Sequence, residues 1–97
     1  MRLARPLEGS WRGASGATRC RISDISISGC FVQSLAMPSM GETTEITIEF
    51  APDARLTLTG SVVYAERGMG FAIRFVAPDA ETAAALAGHI EALGHQK

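Results

Sequence analysis

The chain has 97 residues and a mass of 10.3 kDa, the size of a single domain that buries about 60–65% of its unfolded surface. Hydrophobic residues at 46%, charged residues at 20% and a mean hydropathy of +0.14 exclude wholesale disorder. No apolar run approaches the roughly 18 residues of a membrane span, and Met1–Pro6 lacks the apolar stretch of a secretory signal, so the expected location is cytoplasmic.

A net charge of −1 argues against a general DNA or RNA binder. The charge is uneven: residues 1–30 carry +3 and residues 31–97 carry −4. Eight of the nine basic residues are arginine, the side chain suited to forked recognition of phosphates and base edges. Composition alone favours the plainer reading, solvated strand and tail residues.

In chain order, Arg2 and Arg5 come first, followed by Gly9–Gly16, which reads as a flexible, turn-rich stretch. Trp11 within it either anchors the segment to the rest of the domain or belongs to the core. Ala17–Ile22 alternates, with Thr18, Cys20 and Ile22 on one face and Arg19 and Arg21 on the other, the pattern of a half-buried strand.

The turn that follows places Asp24, Ser26 and Gly29 in the spacing D-x-S-x-x-G. A carboxylate can accept guanine's N1–H and exocyclic N2–H₂ together, and a serine hydroxyl can bond a phosphate or a base edge. Gly29 permits positive φ or a close backbone approach. The same residues also suit an Asx- or Ser-stabilised turn that simply starts the next strand.

Cys30–Ser34 is the next predicted strand, bounded by Gly29 and Pro38. Thr44–Phe50 alternates with Ile46, Ile48 and Phe50 inward. Leu56–Tyr64 does so with Leu56, Leu58, Val62 and Tyr64 inward, and Gly60 on that face marks a bend or bulge. Gly70–Val76 directs Phe71, Ile73 and Phe75 inward. Ala51–Ala54 and Glu66–Gly70 are hairpin-length connections. Short strands at this spacing predict a small antiparallel barrel or sandwich.

The period then changes. Asp79 offers an N-cap, and Ala83, Leu86, Ile90 and Leu93 form an apolar stripe. A helix over 79–94 is expected, covering an open end of the barrel, with Gly94 as its stop.

Cys20 and Cys30 lie outside zinc spacing and read as buried thiols, and His89 and His95 as structural or tail residues. No metal site, nucleophile–base pair or paired carboxylates are evident, so no enzymatic activity and no cofactor are expected.

The order of features resembles the PilZ domain family over essentially the whole chain. The resemblance rests on Asp24, Ser26 and Gly29, and on a closing strand Gly68-Met69-Gly70-Phe71-Ala72-Ile73-Arg74-Phe75. It implies a mainly β fold, a six-stranded antiparallel barrel with a C-terminal helix, and a non-catalytic receptor role for cyclic di-GMP in bacterial signalling. The implied organisation is one domain over 1–97: a mobile N-terminal arginine segment at 1–16, a barrel at 17–76 and the helix at 79–94.

The implied ligand-binding residues are Arg2, Arg5, Asp24, Ser26 and Gly29. The family's second motif, R-x-x-x-R, is altered here, because only two residues separate Arg2 from Arg5. Arg5 matches the second arginine, and Arg2 falls one residue late. Arg12, Arg19, Arg21 and Arg74 either add positive potential around the site or are ordinary solvated strand residues, and the second reading is favoured. The implied partners are cyclic di-GMP and a downstream protein or attached domain. The alternative is a PilZ-like adaptor that binds proteins without the nucleotide, as in motility or pilus assembly.

Overall fold

The structure is a computed structural model that describes residues 1–14, 16–36 and 38–94. Six strands, β1 (Arg2–Gly13), β2 (Gly16–Ile25), β3 (Gly29–Gln33), β4 (Thr43–Ala51), β5 (Ala54–Glu66) and β6 (Gly70–Phe75), precede one helix, α1 (Ala80–Gly94). They close into a barrel in the order β1-β2-β3-β6-β5-β4, and every neighbouring pair is antiparallel. Closure gives the inward row of each strand one shared interior.

Alternation accounts for that interior. Cys20 and Ile22, Cys30 and Val32, Ile46 and Ile48, Leu58 and Val62, and Phe71, Ile73 and Phe75 are all buried. Trp11 joins them at 3% exposure and meets Phe71 edge-on, with ring centroids 5.1 Å apart. Its indole N–H donates to Ser34 Oγ at 3.2 Å, so the core placement leaves no orphan donor.

The barrel therefore begins at Arg2, not at residue 17. Residues 2–13 form the first strand, paired on both sides over 8–12, and Gly13 pairs with Gly16. The stretch imitates a loop because Gly9, which faces inward, has no side chain to mark the apolar row. A Cβ there would lie 2.5 Å from the Thr47 carbonyl oxygen and 2.9 Å from Ile22 Cδ1. Glycine at this position is a packing requirement where β1 crosses β4.

β5 also departs from strict alternation. Val62 pairs with Ile73 and Tyr64 with Ala72, so β5 inserts one extra residue, Val63. This bulge turns Tyr64 outward, to 49% exposure, against the inward place expected of it. Gly60 faces inward as expected, but the irregularity lies beyond it.

Thr82 N–H donates to Asp79 Oδ1 at 2.8 Å, which caps α1. Leu86 is buried with the barrel core, Ile90 and Leu93 pack against it, and Ala83 is exposed. Phe50, at the end of β4, stacks on His89 with centroids 4.4 Å apart. His95 lies outside the described residues. Among the described residues, no helix is long and apolar enough to cross a membrane.

Both cysteines are free and buried. Burial pushes the Cys20 thiol up to about 11 and raises Cys30 further.

Candidate functional site

Asp24 is the penultimate residue of β2, just before the turn at 26–28, and Gly29 opens β3. Ser26 N–H donates to the Gly29 carbonyl at 2.9 Å, and Ser28 N–H donates to Ser26 Oγ at 3.2 Å. The two serine hydroxyls are 3.0 Å apart. Phe75 N–H donates to the Ser28 carbonyl at 2.8 Å, which ties the turn to β6. Ser26 is thus occupied in holding the turn.

Gly29 has a close-approach role of its own. A Cβ there would run into the Ile73 carbonyl oxygen and lie 3.3 Å from Arg74 Cα. What comes close to it is the β6 backbone. Both residues of the motif therefore act in the architecture that presents Asp24.

Arg2 stands directly opposite Asp24 across the β1–β2 pair. Next to it, Ile25 N–H donates to the Met1 carbonyl at 2.9 Å, and the Met1 ammonium donates to the Ile25 carbonyl at 2.7 Å. That ammonium also lies 3.4 Å from Asp24 Oδ1. Pairing resumes only at Leu7, which faces Ile22, so Leu3–Pro6 bulge out against the single residue Ser23. Pro6 has no N–H to give to a ladder, and a bulge suits it. Arg5 rides on this bulge.

Two hollows flank the bulge. The first, of about 670 Å³, includes Arg2, Asp24, Phe31, Gln33, Glu66 and Met69 in its lining. The second, of about 850 Å³, includes Arg2, Arg5, Leu7, Phe50, Leu93 and Gly94. Arg2 borders both, Asp24 only the first and Arg5 only the second. Ser26 and Gly29 line neither. Of the five expected residues, the structure brings Arg2 and Asp24 face to face and sets Arg5 on the other side of the wall they share.

Phe31, Gln33 and Glu66, which were not among the expected site residues, also line the first hollow, and the row that Phe31 belongs to runs on beyond it. The strand registers make one row across five strands: Arg2, Asp24, Phe31, Ala72 and Tyr64. Ala72 is small, so the rings of Phe31 and Tyr64 approach over it, with centroids 6.5 Å apart and planes inclined at 50°. Phe31 was findable, because it stands two residues after Gly29 on a strand whose buried residues are Cys30 and Val32. Tyr64 was not, since the bulge that turns it outward leaves no local signature.

Among the described residues, neither Arg2 nor Arg5 forms an ion pair. Arg19 and Arg21 are engaged elsewhere: Arg19 reaches Glu49 at 3.1 Å and Glu8 at 3.5 Å, and Arg21 reaches Glu8 at 3.3 Å. Their charges are largely met on the outer surface of β1, β2 and β4. Arg74 is exposed and pairs in register with Gly29 and Ser61. Among the described residues no group of three His, Cys, Asp or Glu side chains converges to hold a metal ion.

Comparison with known proteins agrees with this architecture. The crystal structure of the PilZ domain of CeSA, from a cellulose synthesizing bacterium, superposes with a TM-score of 0.75 at 18% identity. The match covers 98% of this chain and 99% of that one, which makes the likeness one of whole fold. No match was found among curated proteins. The model of the PilZ domain matches residues 1–92, nearly the full length, and the chain belongs to the PilZ domain family.

Proposed function

We propose that this chain is a cyclic di-GMP receptor domain that acts by binding and not by catalysis. The observation that carries the reading is the row Arg2–Asp24–Phe31–Ala72–Tyr64, which puts a guanidinium, a carboxylate and two aromatic rings along one outer face. These are the groups a purine nucleotide needs. Arg2 and Arg5 make forked, charge-assisted contacts to phosphate oxygens or to guanine O6 and N7. Asp24 accepts the N1–H and N2–H₂ donors of a guanine. Phe31 and Tyr64 offer stacking faces, each contributing about 1–3 kcal/mol per stacked base. Ser26 and Gly29 hold the turn that aims Asp24.

The bulge supplies the signal. Drawing Arg5 toward a phosphate in the first hollow requires the Leu3–Pro6 bulge, which borders both hollows, to shift, and a partner protein or attached domain reads that displacement. Isothermal titration of the chain with cyclic di-GMP tests the reading, with Arg2→Ala and Arg5→Ala beside it. Saturable binding that each variant weakens at least 10-fold is expected, and its decline with added salt would follow from the phosphate contacts.

The placement of Arg5 favours a second reading, an adaptor that binds proteins alone, because Arg5 and Asp24 border different hollows. A folded wild-type chain that takes up no cyclic di-GMP would select the adaptor.

A further inference from the structure

The first hollow has a charge imbalance. Its lining holds two carboxylates, Asp24 and Glu66, against one guanidinium, Arg2. Cyclic di-GMP is a dianion, so its phosphates are drawn to the Arg2–Arg5 wall and repelled from the Glu66 side. A carboxylate beside a dianion weakens binding unless it meets donors on the ligand. Guanine supplies such donors, since N1–H and N2–H₂ lie side by side on one edge and match the two oxygens of a carboxylate. The ligand has two guanines, and the hollow has two carboxylates.

Glu66 is held ready for that contact. It ends β5 on the same outward face as Tyr64, whose hydroxyl donates to Glu66 Oε2 at 3.1 Å. Among the described residues it forms no ion pair, so its other acceptor sites are open. Its register partner on β6 is Gly70, which in turn faces Gln33 on β3. Gly70 and Ala72 thus leave a low floor along β6, with Phe31 and Gln33 on one side and Tyr64 and Glu66 on the other.

We infer that Glu66 reads the second guanine of the ligand as Asp24 reads the first. Guanine specificity then rests on a pair of carboxylates across one hollow. The assignment rests on the receptor reading above and deepens it.

Titration of wild type and Glu66→Gln with two ligands tests it: cyclic di-GMP, and the mixed dinucleotide cyclic GMP-AMP, which has one adenine. Glutamine still accepts the Tyr64 hydroxyl but offers one donor and one acceptor, the pattern of an adenine edge. Wild type is expected to prefer cyclic di-GMP by about 10- to 100-fold, the equivalent of one forked pair. Glu66→Gln is expected to bind cyclic di-GMP weaker by a similar factor and to lose the preference. Equal weakening toward both ligands, or an unchanged preference, would overturn the assignment and leave the receptor reading standing. A wild-type chain that binds neither ligand would overturn both.

Discussion

The two halves of β1 differ in the number of edges they have paired. Residues 8–12 have hydrogen-bonded neighbours on both sides, β2 and β4, and bury Gly9 and Trp11 against the core. Residues 2–7 have β2 alone, meet it only at Arg2 and Leu7, and carry both N-terminal arginines. One strand thus serves as a stave at one end and as an arginine-bearing arm, paired on one side only, at the other. Two paired edges fix the backbone cooperatively. One interrupted edge lets it bulge, and the groups it carries can be repositioned without opening the barrel.

The sharpest way to break this contrast is Trp11→Ala in the stave. It removes a buried indole and its edge contact with Phe71, and a stability loss of about 3–5 kcal/mol is expected in urea unfolding followed by circular dichroism. Gly9→Ala comes next. The new methyl meets the Thr47 backbone, and a loss of about 1–3 kcal/mol should follow, whereas Ala4→Ser on the exposed bulge should stay within about 0.5 kcal/mol.

Alkaline pH probes the stave from inside, because Cys20 pairs with Gly9. Burial raises both thiols above their ordinary value of 9.0. Their contribution is complete below that value and is lost as pH rises, because the unfolded chain ionises first. Stability should therefore fall from pH 9 upward as Cys20 approaches its folded value of about 11, and Cys20→Ala should lessen the slope.

Glu8→Gln removes the carboxylate shared by Arg19 and Arg21 on the outer surface. The expected loss is under about 1 kcal/mol and should shrink with added salt. The smallest effect on stability belongs to Arg2→Ala and Arg5→Ala, which should leave the unfolding midpoint unchanged within about 0.5 kcal/mol while weakening ligand binding. A large loss of stability in either would erase the distinction between stave and arm.

The legible part of the fold was the part with unbroken alternation. Phe71, Ile73 and Phe75, or Ile46 and Ile48, declare their face two residues at a time, and the structure buries all five. The cap at Asp79 and the Leu86–Ile90–Leu93 stripe were equally plain, because helical spacing is local. β1 was hidden because its inward row reads Gly-x-Trp, and a glycine demanded by the closeness of β4 looks like a turn residue. Tyr64 was misplaced because a bulge shifts the alternation without changing residue type.

The site divides in the same way. D-x-S-x-x-G located the turn and Asp24, yet it did not distinguish ligand contact from architecture. Ser26 bonds within its own turn, and Gly29 admits β6. The sequence by itself determined the inward rows of β2, β4 and β6, the capped helix and the residues of the turn, all of which follow from spacing along the chain. Only the tertiary structure decided that Arg2 faces Asp24, that Arg5 lies across a wall from it, and that Phe31, Tyr64 and Glu66 share the neighbourhood. Those relations depend on register between strands distant in sequence, and barrel closure sets that register.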